Sequence, residues 1–115
     1  MPDLQALLEP LVRIRGVRGA VLMSASDGVV ISEALAEDIQ SAGVAALAAT
    51  LADHVSALSG VLGRGSLRCL QMHAEKGSIL VARVPGDMLI AMVTGPQTPV
   101  GLARLELLRA AEQVS

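Results

Sequence analysis

Residues 41–63 read SAGVAALAATLADHVSALSGVLG, a stretch long enough for a helix that carries only Asp53 and His54 as potential charges. A surface helix ordinarily sets an apolar stripe against a charged, solvated face. This one lacks the charged face, so the fold must supply something to cover it. Stepping 100° per residue from Val44 brings Leu47, Leu51, Val55, Leu58 and Leu62 within about 60° of it, the stripe expected to lie on a sheet. The opposite side collects Ala42, Ala46, Ala49, Asp53, Ala57 and Gly60. Thr50, His54, Gly43 and Val61 fill one flank, and Ala45, Ala52, Ser56 and Ser59 the other. Small residues allow another helix to approach closely. Alanine is also the best helix former, and a solvated alanine face costs little. A lone solvated helix, however, would carry more Glu and Lys. The pattern therefore predicts a helical partner, and a homodimer is the economical choice.

Composition points the same way. The 115 residues suit one domain, 1–115. Apolar residues make up 52% with no Phe, Tyr or Trp, so the core is aliphatic. Charged residues are only 17%, below the usual quarter, which implies surface buried against a partner. A net charge of −2 and the lack of stacking aromatics exclude a nucleic-acid binder of the usual kind. The opening MPDLQALLEPLVRIRG contains acidic residues and no small-residue cleavage site, unlike a signal peptide. The long apolar stretch also invites a membrane test, since about 20 apolar residues can span a bilayer. Asp53 and His54 sit near its middle, where charge is costly, so no membrane insertion is expected and the protein reads as cytoplasmic.

Along the chain, Asp3 to Arg15 has helical apolar spacing, with Pro10 expected to kink or divide it. Val17 to Ser26 is apolar on both faces, Asp27-Gly28 is a hairpin turn, and Val29 to Glu33 returns. A strand apolar on both faces needs helices on each side of its sheet. Glu37-Asp38 is expected to open the long helix, suited to its N-terminal dipole, and Gly60, Gly63 and Gly65 to end it. Leu67 to Glu75, Ser78 to Val84 and Met88 to Thr94 read as three further strands joined by tight turns. Thr98 is placed to cap a last helix, Val100 to about Val114, with Pro99 in its first turn. The fold class is α/β, an α+β sandwich with a mainly antiparallel five-stranded sheet.

No catalytic constellation emerges, and the chain reads as a non-enzyme. Asp53 and His54 are neighbours in a helix and point about 100° apart, with no third member for a dyad. His54 and His73 lack metal-ligand spacing, so no metal site is expected. Cys69, the only cysteine, lies in an apolar strand without the cationic neighbourhood of a nucleophile. GRGS, residues 63–66, follows a helix and precedes a strand without the lysine of a P-loop, so no nucleotide and no cofactor is expected.

The segments IRGVRGAVLMSASDGVVISEA, LGRGSLRCLQMHAEKGSILVARVPGDMLIAMVT and VGLARLELLRAAEQV together resemble the Roadblock/dynein-light-chain family over essentially the whole chain. GVRGAVLMSASDG carries most of the resemblance. It implies the long helix on one sheet face and the N- and C-terminal helices on the other. It also implies a homodimer in which long helices pack together and the third strands pair edge to edge. Mapped here, the dimer contact takes Ala42, Ala45, Ala46, Ala49, Ala52, Ser56, Cys69, Leu70 and Gln71. Prokaryotic members of the family often accompany Ras-like small GTPases as regulators or scaffolds. The resemblance thus implies a GTPase platform on Thr50, Asp53, His54, Ala57 and Arg64. Arg64 and Arg68 flank the end of the helix, where an arginine supplied in trans could stabilise phosphoryl-transfer charge, although a solvated arginine is the plainer reading. A small-ligand sensor, or a dimeric scaffold with no GTPase partner, is the alternative.

Overall fold

Two segments are apolar at successive positions rather than alternate ones, and both become central strands. In the computed structural model, which describes residues 4–114, β1 (Val17–Ser24) and β5 (Met88–Thr94) lie side by side in a five-stranded sheet. Its order is β2 (Val30–Leu35), β1, β5, β4 (Gly77–Val84), β3 (Cys69–Ala74), and every neighbouring pair is antiparallel. Side chains alternate across it. Ala20, Leu22, Leu80, Ala82, Ile90 and Met92 face α1 (Leu4–Val12) and α3 (Val100–Glu112). Val21, Met23, Val81, Leu89 and Ala91 face α2 (Ser41–Val61). The expected architecture is the observed one, with the long helix alone on its face.

Local chemistry corrects several expected boundaries. Pro10 lies inside a continuous α1 and does not divide it. It is exposed, as is Ala6, whose carbonyl loses its helical partner there and can turn to water. Asp3, expected in that helix, lies outside the described residues, and Arg13 to Arg15 have left it. Asp27-Gly28 is not a two-residue hairpin turn. Residues 25–29 form a longer loop in which the Ser24 N–H donates to the Val29 carbonyl at 2.9 Å, and the Asp27 carboxylate accepts the Val29 N–H at 3.1 Å. Gly28 there has φ +70°, and a Cβ on it would come within 3.1 Å of the Ala46 Cα. That glycine lets the loop lie against the start of α2.

Glu37 and Asp38 do not enter the first turn of α2. The helix starts at Ser41 with Gln40 as its N-cap, and Asp38 instead pairs with Arg18 on β1 at 2.6 and 2.8 Å. One guanidinium nitrogen, Nη2, donates to both carboxylate oxygens, so the acidic group expected at the helix dipole is engaged by β1 instead. Thr98 does not cap α3 either. The N-cap is Pro99, and the buried Thr98 hydroxyl accepts the Gly95 N–H at 3.2 Å, holding the turn before the helix. Leu67, Arg68 and Glu75 fall outside β3, whose outer edge pairs with no strand among the described residues.

Candidate interaction surface

The surface is built from α2, and its setting is the main departure from expectation. Ala45, Ala48, Ala49 and Ala52 are the buried residues of the helix, packed on Val21, Met23, Leu89 and Ala91. The leucine stripe expected on the sheet faces outward. Leu47 is 73% exposed, Leu58 58% and Leu62 60%, while Val44 and Val55 are half-buried at the boundary. The helix is turned about a quarter of a revolution from the setting read off its wheel. The physical reason is distance. Alanine methyls let the helix lie close on the sheet, and leucines on that side would hold it away. α2 also meets the length and apolarity of a membrane span, yet its alanine side is spent on the sheet.

Two different outer faces result. One is a ridge of Leu47, Leu51, His54, Leu58 and Val61, spaced four, three, four and three residues apart. That 3.5-residue repeat is the spacing by which one helix can pack along another. The other is small and polar, with Ala42, Ala46, Thr50, Asp53 and Ala57 exposed. Beside it Ala46, Thr50 and Asp53 join Ser26 and Asp27 of the β1–β2 loop around a hollow of about 350 Å³. The Val29 N–H and the Ser24 side chain hold the Asp27 carboxyl below its ordinary range. The Thr50 hydroxyl donates back to the Ala46 carbonyl at 2.9 Å.

The residues expected in a dimer contact therefore divide. Ala45 is wholly buried and Ala49 and Ala52 nearly so, packed on their own sheet, because the quarter turn moved them inward. Ser56 is half-buried, whereas Ala42 and Ala46 remain open. Cys69, Leu70 and Gln71 lie half-buried on the edge strand β3, with Met72 42% exposed beside them. Of the residues expected to meet a GTPase, Thr50, Asp53 and Ala57 share the small face. His54 lies on the ridge between Leu51 and Leu58. Arg64 is exposed in the loop after the helix, which the Ser59 hydroxyl ties down by donating to the Gly65 carbonyl at 2.6 Å. The wheel grouped Leu47, Leu51 and Leu58 but set them on the sheet, and the heptad spacing they share with His54 and Val61 was the signal that could have turned them outward.

Elsewhere the polar chemistry is structural. Both nitrogens of His73 are engaged, one with Gln71 and one with Ser78, each at 2.8 Å, and Arg104 donates to Gln71 at 3.5 Å. Burial pushes the Cys69 thiol up, and the Arg104 charge offsets only part of that. Such a thiol is a poor nucleophile. Cys69 borders an open-sided cavity of about 600 Å³ between the start of β3 and the end of α3, walled by Leu67, Arg68, Pro85, Leu108 and Ala111. Among the described residues no group of three His, Cys, Asp or Glu side chains gathers as a metal site.

A family model described as the Roadblock/LC7 domain matches residues 3–94. The Methanocaldococcus jannaschii protein MJ1340 is 26% identical over 110 residues, covering 96% of this chain and 94% of its own. The Roadblock/LC7 domain from Streptomyces avermitilis superposes with a TM-score of 0.88 at 23% identity, covering 98% of this chain and 95% of that one. Myxococcus xanthus MglB gives 0.86 at 20% identity, covering 96% and 89%. The structural likeness includes α3, which the family match leaves out.

Proposed function

The chain belongs to the Roadblock/LC7 family, and from that premise we propose that it is a non-catalytic, homodimeric interaction module that binds a Ras-like small GTPase and regulates or scaffolds it. The observation that carries the reading is the outer half of α2. It exposes large aliphatic side chains that a solitary domain would bury, and only Asp53 and His54 bring charge to it. The two outer faces divide the work. The leucine ridge serves the second copy, with the unpaired edge of β3 as a further pairing surface. The small face of Ala46, Thr50, Asp53 and Ala57 serves the GTPase, and its hollow suits a protruding switch segment.

The test has two stages. Sedimentation should give a dimer at micromolar concentration. Immobilised protein should then retain a small GTPase encoded beside its gene, and retain the GTP-bound form better, because γ-phosphate contacts order the switches. A stable monomer, or retention of neither form, would sink the reading. The cavity of about 600 Å³ beneath α3 supports the second reading, a small-ligand sensor. Native mass spectrometry of purified protein separates the two, since a sensor would carry a bound small molecule.

A further inference from the structure

The cavity of about 600 Å³ at the start of β3 has two kinds of lining. Its walls are aliphatic. Leu67 comes from the loop before the strand, Pro85 from the β4–β5 turn, and Leu108 and Ala111 from α3. Leu67 and Leu108 are only half-buried, so part of this apolar wall stays wet. Its charge is mainly positive. Arg68 and Arg83 both line it, and both are exposed on long, flexible stems. The Arg83 N–H donates to the Arg68 carbonyl at 3.0 Å, which carries the β3–β4 register one pair beyond Cys69 and Ala82. Two like charges thus stand directly across from one another, an arrangement that by itself opposes the pairing. Among the described residues neither guanidinium makes an ion pair.

Resting on the small-ligand reading of this cavity, we propose that it binds a small aliphatic carboxylate, a straight-chain acid whose tail lies on the Leu67–Leu108 wall and whose head is held by Arg68 and Arg83. Ligand pockets measure about 300–1,000 Å³ and set a few polar groups in a mostly apolar lining, as this cavity does. The planar fork of an arginine matches a carboxylate and stays charged at any ordinary pH. Glu112 also lines the cavity and opposes an anion, but two arginines against one glutamate leave one positive charge over. The Arg104 charge reaches Cys69 in the same wall and adds to that balance. Composition selects the tail. With no Phe, Tyr or Trp in the chain, a flat ring would find no aromatic face to stack on. A bound carboxylate would in turn relieve the repulsion between the opposed arginines, so site and ligand gain together.

Calorimetry with decanoate tests the proposal, with decanol and decylamine as equal tails bearing no charge or the opposite one. Decanoate should bind, and the other two at least about tenfold more weakly, the scale of a charge-assisted hydrogen bond. Acetate, a head without a tail, should not bind measurably. Cys69 gives a second readout, because it lines the cavity and is the only cysteine. Decanoate should slow its alkylation by N-ethylmaleimide. Arg68→Met and Arg83→Met keep an apolar stem and should each weaken decanoate about tenfold, with the urea midpoint nearly unchanged.

Equal binding of decanol, or unchanged affinity in both arginine variants, overturns the role of the anion and the proposal with it. Retention on phosphatidylglycerol vesicles without binding of free decanoate would make the ligand a membrane lipid, which also overturns it. If decanoate neither binds nor protects Cys69 while native mass spectrometry finds another small molecule in the protein, the carboxylate falls and the sensor reading stands. No bound molecule, and no protection of Cys69 by any of these compounds, removes both.

Discussion

The two sides of α2 invert the ordinary rule that large apolar side chains go inside. Four alanines are buried on the sheet side, while Leu47, Leu58 and Val61 stand mostly exposed on the other. Each buried alanine removes little apolar area from water, so the helix gains less from the sheet than a leucine face would give it. What it gains is proximity, and with proximity the dispersion contacts of a close-packed interface. The leucines are left available for a contact outside the chain. The outer side carries the surface that the proposed contact with a second copy would use, and the two sides should therefore respond differently to substitution.

The sharpest break in that comparison is Ala45→Asp. The residue is wholly buried against the sheet, and an aspartate there would be an unpaired charge without room. Unfolding in urea should show a loss of at least about 3 kcal/mol, or no folded protein at all. If Ala45→Asp folds normally, the alanine side is not the sheet side. The matching change on the ridge, Leu58→Glu, should leave monomer stability within about 0.5 kcal/mol. It should weaken dimerisation by about thirtyfold or more, the scale of an interface hot spot, read by sedimentation equilibrium. An unfolded Leu58→Glu would mean that the ridge supports its own domain after all.

Why the wheel failed on α2 while succeeding elsewhere is instructive. Strand β5 was located to the residue because Pro85-Gly86-Asp87 and GPQTP bound an uninterrupted aliphatic run. In α1, Leu7, Leu8 and Leu11 are buried as their spacing requires, opposite Glu9. Orientation could be read there because a charged residue marked the outside. α2 has no such mark until Asp53. Its apolar character runs round the helix, and residue size, which set its orientation, acts through the shape of a sheet that the wheel does not contain. The helix starts went wrong for a related reason. Glu37, Asp38 and Thr98 are good capping chemistry, but a distant partner, Arg18, took Asp38, and a local turn took the Thr98 hydroxyl.

The small face divides from the ridge by a finer contrast. Asp53→Arg and Thr50→Arg should abolish retention of the GTPase while sedimentation still gives a dimer, because both side chains lie by the hollow and off the ridge. Leu47→Arg should do the reverse first, lowering dimerisation and losing the GTPase only as the dimer is diluted out. Identical behaviour of the two sets would mean that one surface serves both contacts.

The smallest effect concerns what sets α2 down in its quarter-turned position. The Arg18–Asp38 pair ties the approach to the helix onto β1, but both side chains are exposed, and exposed pairs contribute little. The Arg18 side chain, its hydrogen bonds foremost, holds the Asp38 carboxyl below its ordinary value of 3.8. A carboxyl lowered by folding contributes stability while the pH is above its unfolded value, and that contribution is lost as the pH falls through the folded one. Asp38→Asn should therefore show a urea midpoint slightly below that of the unsubstituted chain at neutral pH. The difference should shrink as the pH is taken below 3.8, and shrink also in high salt, where exposed charges are screened. Arg18→Ala should behave alike, and the double variant should lose no more than either single one. If Asp38→Asn instead weakened dimerisation as strongly as Leu58→Glu, the ion pair would be setting the rotation of α2, and the alanine contacts alone would not suffice to hold the leucines outward.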